Sequence, residues 1–255
     1  MLLLLVIVSI LSIGSLNGDA VIQAAFRACP GSSGSIWTRP SYCPADPSNN
    51  PPQQTEIMDL IAWTWNTAPK EQACPFGLSR VLLRFDQMTD VIPQDAIIRS
   101  ATLKLFGVGS QQVNGYAFSY FGNSALNAYA PAHYGPNRVN ITRVTQAYDM
   151  ATVTWNTQPS SQGPPAVIPE SNMQYYYNVA VDVKSLVDNM LAPGTNNGFL
   201  LQFEVEDYYR SMNFFSSNTK DESKRPLLEV EYILSCKGSA TKDVSLEAQI
   251  VNLKN

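Results

Sequence analysis

Residues 97–106 read IIRSATLKLF, and residues 226–234 read PLLEVEYIL. In the first, Ala101, Leu103 and Leu105 alternate with Thr102 and Lys104. In the second, Val230 and Tyr232 alternate with Glu229 and Glu231. A period of two puts the apolar set on one face of a pleated strand and the polar set on the other, which is the pattern of a half-buried β-strand. Further runs of this kind occupy 57–65, 79–86, 138–145, 151–155, 176–183, 198–205 and 211–216. Each is short, rich in β-branched or aromatic residues, and bounded by turn-forming residues. Only 184–191 (KSLVDNML) has helical spacing, with Leu186, Val187, Met190 and Leu191 on one side and Gly194 placed beyond its C-terminus. Strand follows strand with no fixed repeat and no βαβ alternation. The expected fold is all-β, an antiparallel β-sandwich of jelly-roll type with one short helix.

The chain has 255 residues, 45% apolar and 15% charged, with a formal net charge of −4. So little charge suits a secreted β-protein. No basic run offers the phosphate-neutralising patch that a nucleic-acid binder needs, so that class is excluded. Residues 1–13, MLLLLVIVSILSI, precede GSLNGDA. The apolar run is shorter than the roughly 20 residues that span a bilayer. It reads as the core of a secretory signal, with Gly18-Asp19-Ala20 as the small-x-small cleavage site. The expected organisation is a signal peptide at 1–20, a cysteine-clamped arm and loop at 21–56, a jelly-roll domain at 57–236 and a polar tail at 237–255. The mature protein is expected to be secreted, without membrane insertion.

Four cysteines, Cys29, Cys43, Cys74 and Cys236, predict two disulfides in an exported chain, with three pairings open. None stands at C-x-x-C spacing, which argues against a metal site. His133 is the single histidine, so no multi-histidine metal centre can form, and a hydrolase triad would need it without a G-x-S-x-G motif. With Tyr134 it would make the base pair of a polysaccharide lyase. Glu204 and Glu206 share a strand face, as do Glu229 and Glu231, but alternating acids on a solvated strand explain both as well as a glycosidase pair does. Asp207, Asp221 and Glu222 are turn carboxylates suited to structural calcium, without EF-hand spacing. No other cofactor is expected.

Three segments carry more than a generic β-pattern. VLLRFD at 81–86 leads through Ile92-Pro93 to IIRSATLKLF. NITRVT at 140–145 leads into TVTWN at 152–156 and Gln158-Pro159. VDV at 181–183 and LVDNM at 186–190 lead through NGF at 197–199 and FSS at 215–217 to RPLLEVEY at 225–232. In order and spacing this set resembles the DNRLRE domain, also classed as carbohydrate-binding module family 96, over roughly residues 36–234. Departures are Tyr148 where Trp is usual, Lys184 where Thr is usual, and the Cys43–Cys74 region with Trp63 and Trp65. The resemblance implies a secreted β-jelly-roll module, often attached to polysaccharide-degrading enzymes, that binds acidic polysaccharide such as alginate through basic side chains.

An arginine fork matches a carboxylate in two parallel hydrogen bonds, and a flat aromatic face stacks on sugar C–H groups. Candidate ligand-binding residues are therefore Arg84, Lys104, Arg138 and Arg39, with Tyr134, Tyr129 and Trp37. The competing reading for Arg84 is an ion pair with Asp86 on the same face. Arg143 is expected to be a paired, half-buried arginine, and Arg225 a tether for the last strand. Asn140-Ile141-Thr142 is a glycosylation sequon inside an expected strand. The expected function is non-catalytic polysaccharide binding in an extracellular matrix or at a cell surface. The alternatives are a matrix, biofilm or mineral-associated structural protein without a sugar site, and a lyase using His133 and Tyr134. Oligomeric state is not fixed by the sequence.

Overall fold

A computed structural model describes residues 8–16, 19–38, 47–52, 55–63, 77–109, 123, 135–207 and 209–234. Two antiparallel sheets face each other. One runs in the order β1 (Val8–Leu16), β2 (Asp19–Arg27), β12 (Leu227–Ile233), β6 (Ile97–Leu105) and β9 (Val179–Asp182). The other runs β11 (Arg210–Phe215), β4 (Ile57–Trp63), β5 (Gly77–Leu83), β10 (Phe199–Phe203), β7 (Val139–Val144) and β8 (Ser161–Ile168), with β3 (Ser33–Thr38) also paired to β5. The chain passes from one sheet to the other between β2 and β3, β5 and β6, β6 and β7, β8 and β9, β9 and β10, and β11 and β12. This is an all-β sandwich with jelly-roll winding.

The core between the sheets follows the alternation in the sequence. Phe26, Ala101, Leu103, Leu105, Leu228 and Val230 face Met58, Leu60, Val81, Leu83, Ile141, Phe199, Leu201, Phe203, Met212 and Phe214, all buried. In β6 and β12 the intervening Thr102, Lys104, Glu229 and Glu231 stay half-exposed, as expected. The helical stretch is α2 (Lys184–Val187), extended by a turn in which Met190 N–H donates to the Val187 carbonyl. Leu186, Val187, Met190 and Leu191 are buried together as the spacing predicts. Gly194 has φ +76°, but it lies well past the end of α2. A second short helix, α1 (Met88–Val91), follows β5. No helix among the described residues is long and apolar enough to cross a membrane.

Several expectations need correction. Residues 151–155 are not a strand. Asp149 turns the chain there, its carboxylate accepting from Ala151 N–H at 2.9 Å and its carbonyl from Thr152 and Val153, while the Thr154 and Thr157 hydroxyls meet at 3.1 Å. Short polar side chains that bond their own backbone favour turns over ladders. Conversely, residues 161–168 (SQGPPAVI) are a strand, despite Gly163, Pro164 and Pro165. They form the sheet edge, where a missing N–H costs least, and the ladder shifts register between Ile141 and Arg143. Residues 21–38, read as part of an arm, instead supply β2 to one sheet and β3 to the other. Residues 8–16, inside the expected signal peptide, pair with β2 from Val8↔Phe26 to Leu16↔Asp19. The expected cleavage after Ala20 falls inside that hairpin, near the start of β2. Cys29 carries a free thiol in this structure, and the other cysteines of the expected bridges, Cys43, Cys74 and Cys236, lie outside the described residues.

Candidate functional site

The outer face of the second sheet is fixed by register. Leu82 pairs with Leu200, Leu200 with Thr142, Gln202 with Asn140, and Ile36 with Arg80. Residues directly opposite share a face, and so do residues two apart on one strand. Arg80, Leu82, Leu200, Gln202, Asn140 and Thr142 therefore all point away from the main core. The segment 145–160 folds over part of this face and buries a second apolar cluster of Ile36, Leu82, Val144, Met150, Val153 and Leu200, with Tyr148 and Trp155 packed against it. The remainder is a polar strip of half-exposed Asn140, Thr142 and Gln202, continued by Arg138 and Glu204 at its end.

Arg80 joins the strip to the covering segment. Its Nε and Nη2 donate to the two carboxylate oxygens of Glu206 at 2.7 and 2.8 Å, and Nη1 donates to Gln158 Oε1 at 2.8 Å. The guanidinium carbon lies 4.6 Å from the centre of the Trp155 ring. The fork thus holds a carboxylate and an aromatic face at the same time, which a lysine could not do. Trp155 also packs against both apolar clusters. The result is a neutral surface of amides and hydroxyls bordered by an indole, the kind of surface that meets sugar hydroxyls and C–H faces.

The structure disperses the basic residues expected from the sequence. Arg84 lies on the same outer face as Arg80, at the end of the sheet remote from Arg138. Its guanidinium pairs with Asp86 at 2.8 Å, donates to the Tyr148 carbonyl at 3.0 Å and covers the Tyr148 ring at 5.4 Å. Burial pushes the Tyr148 hydroxyl well above its ordinary range. Arg84 therefore clamps the covering segment, and Arg84→Ala is expected to cost about 1–2 kcal/mol of stability, read as a lower urea midpoint with an unchanged slope. A midpoint equal to that of the parent would show that the clamp carries no stability.

Arg138 pairs with Glu204 at 3.0 Å, and Lys104 sits on the other sheet, paired with Glu229 at 2.8 Å. Trp37 is half-buried on the face of β3 opposite to Ile36. Arg39, Tyr129 and Tyr134 lie outside the described residues, as does His133. The acids are equally committed. Glu231 accepts from Gln23 at 2.7 Å and from Ser100 at 3.1 Å, so Glu204, Glu206, Glu229 and Glu231 all have partners. Of the carboxylates suited to calcium, Asp221 accepts from the Ser223 N–H and hydroxyl, Glu222 pairs with Arg225, and Asp207 lies 3.8 Å from Arg210. Among the described residues no group of three or more His, Cys, Asp or Glu side chains is placed to hold a metal ion. Arg225 does tether the segment before β12, donating to Thr219 O at 3.1 Å while its own carbonyl accepts from Arg27.

Arg143 departs from expectation. It is half-buried, but among the described residues no acid or carbonyl pairs with it. The hub residue Arg80 was legible only as one more arginine beside the strands, because its partners come from 126 and 78 positions away.

A search of curated proteins finds no match. Residues 122–232, which hold β7 through nearly all of β12 together with Trp155, Gln158 and Glu206, match the model of carbohydrate-binding module family 96, the family that the sequence resembles.

Proposed function

We propose that the chain is a secreted, non-catalytic polysaccharide-binding protein of an extracellular matrix or cell surface, and that the polar strip of the second sheet is its glycan face. The observation that carries this reading is the Arg80–Trp155 unit set beside the open amides of Asn140 and Gln202. Neither amide has an intramolecular side-chain partner among the described residues, so both are available to sugar hydroxyls. The family match to carbohydrate-binding modules supports the ligand class. The apolar run at 1–13, followed by the small-x-small residues at 18–20, supports secretion. An acidic glycan such as alginate gains no support from the strip, where Arg80 and Arg138 are both neutralised by glutamates. Glycosylation at Asn140 would cover this same face.

Affinity electrophoresis of the chain through gels containing alginate, pectin or neutral glucans tests the proposal. We expect retardation in at least one gel, with much of it lost in Gln202→Ala and in Asn140→Ala, both half-exposed positions whose truncation spares the core. Trp155→Ala should lose more, but it also disturbs packing. Unchanged migration in every gel would overturn the reading and favour a structural matrix, biofilm or mineral-associated protein.

A further inference from the structure

The hairpin of β1 and β2 straddles the expected cleavage after Ala20. The residues through which β2 pairs with β12, Val21 to Arg27, all lie after that cut, and the whole of β1 lies before it. Removal of residues 1–20 therefore keeps the β2–β12 ladder whole and strips the other side of β2. That side then presents a row of unpaired backbone N–H and C=O groups at the edge of the first sheet. Proteins commonly blunt such edges with proline, charge or short length. β8, an edge of the second sheet, carries Pro164 and Pro165, and β9, at the far edge of the first, has only 4 residues. Residues 21–27 read VIQAAFR, with no proline and one charged side chain, at the end.

β1 shows what this edge accepts. It lies antiparallel to β2, with Val8, Ile10 and Ile13 opposite Phe26, Ala24 and Ile22. Phe26 and Ala24 are buried in the core and Ile22 packs against it, so a strand arriving here meets an apolar residue at every second position. β2 itself meets that demand. Turned about a two-fold axis through Ala24, a second β2 sets Ile22 opposite the partner's Phe26, Ala24 opposite the partner's Ala24 and Gln23 opposite the partner's Ala25. Arg27 falls opposite the partner's Val21, so no two like-charged side chains oppose each other. A contact of this kind uses the same edge on both copies and closes on itself.

Two cysteines favour a second copy over a strand from elsewhere. Ile233 pairs with Val21, and at the other end of β2 the Ala28 N–H donates to the Pro226 carbonyl at 2.9 Å. Cys29 therefore lies about 26 Å along β2 from the end at which β12 finishes. Cys236 follows Ile233 by three residues, a reach of at most about 11 Å, and a disulfide spans at most about 7 Å between Cα atoms. Within one chain the two cannot meet. In the two-fold pair, Cys29 stands two positions past the partner's Val21, about 12 Å from the partner's Ile233 and within range of the partner's Cys236. We infer that the secreted chain pairs with a second copy of itself through β2, joining the two first sheets into one and bringing Cys29 of each copy to Cys236 of the other. The two-fold axis runs perpendicular to the joined sheet, so both polar strips face the same way and engage one polymer surface together. The pairing rests on the secretion reading, because it needs residues 1–20 removed.

The test is to express the full chain in a secreting host and collect the exported protein. Mass spectrometry then reads its N-terminus, and light scattering after size exclusion reads its mass. We expect an N-terminus at Val21 and twice the mass of one chain. N–H groups alternate in direction along a strand, so one of Gln23→Pro and Ala24→Pro removes a donor from the β12 ladder and the other only from the open edge. The variant that keeps the parent's melting temperature should be a monomer. Oxidised glutathione should produce a Cys29–Cys236 peptide in the band of double mass. In that step the two thiols pass two electrons and two protons to the glutathione disulfide, one S–S bond forms between the chains, and two glutathione thiols leave. If neither proline variant folds, this cross-link decides. An exported monomer that starts at Val21 overturns the pairing and leaves the secretion reading standing. Retention of residues 1–20 overturns both. A dimer that survives in both proline variants, or that gives no Cys29–Cys236 peptide, has its contact elsewhere and overturns the inference.

Discussion

Phe199→Ala should destabilise the protein by about 3–5 kcal/mol, well beyond the loss expected for Arg84→Ala. Phe199 opens β10 at the centre of the second sheet, pairs with Leu83 on one side and Arg143 on the other, and is 1% exposed. Its ring meets Phe85 edge-on, with centroids 6.3 Å apart and planes at 72°. The backbone beside it is closely packed. Gly198 sits at φ +82°, and a Cβ there would collide with the Leu83 carbonyl. A rigid cavity gives a cost at the high end of the range. Chemical denaturation measures the loss, and a double-mutant cycle with Phe85→Ala should return a coupling of about 1 kcal/mol for the ring pair. A loss below about 1 kcal/mol would mean that the site collapses around the deletion, contrary to the packing described.

Asp59→Asn should act in the opposite direction and depend on pH. Asp59 lies on β4 opposite Asn213 of β11, and burial raises its carboxyl from 3.8 to about 6. With its nitrogen turned toward the carboxylate, the Asn213 amide donates to Asp59 at 3.0 Å and to the Met212 carbonyl at 3.2 Å. Among the described residues no cation compensates the charge. The folded chain keeps the proton up to about pH 6, while the unfolded chain releases it near 3.8. Folding therefore takes up a proton between those values. The stability associated with protonated Asp59 is complete below the lower value and is lost as pH rises through the upper one. A shift of this size corresponds to at most about 3 kcal/mol. Asp59→Asn removes the titration and still accepts from Asn213, so it should gain about 2 kcal/mol at pH 7 and almost nothing at pH 4. Parallel stability curves for parent and variant across that range would contradict the assignment.

How much of the fold and site was legible in the sequence depended on where each signal came from. β6 and β12 could be read directly, because local alternation reports a face that is buried on one side and open on the other. β8 could not, because Gly163, Pro164 and Pro165 are turn residues everywhere except at a sheet edge, and edge position is a property of the whole fold. Residues 151–155 misled in the converse way. Val153 and Trp155 alternate like a strand because they cover the outer face of a sheet, while Asp149, Thr154 and Thr157 turn the backbone. The basic residues were identified correctly as side chains, but sequence does not show which are already paired. Arg84, Lys104 and Arg138 have carboxylate partners, two of them from across the chain, and Arg143, expected to be paired, has none among the described residues.

The contacts around Arg80 carry a consequence for kinetics. Two bonds to Glu206, one to Gln158 and the stacked indole leave the arginine little rotational freedom. Trp155 is in turn pinned between that guanidinium and two apolar clusters. The ordering entropy that a mobile tryptophan would lose on meeting a ligand, about 0.5–1.5 kcal/mol for an immobilised side chain, has already been lost in folding. A surface fixed in advance needs no rearrangement before contact. Differences in affinity among glycans that reach it should therefore appear in how long each one stays, with arrival rates nearly the same for all.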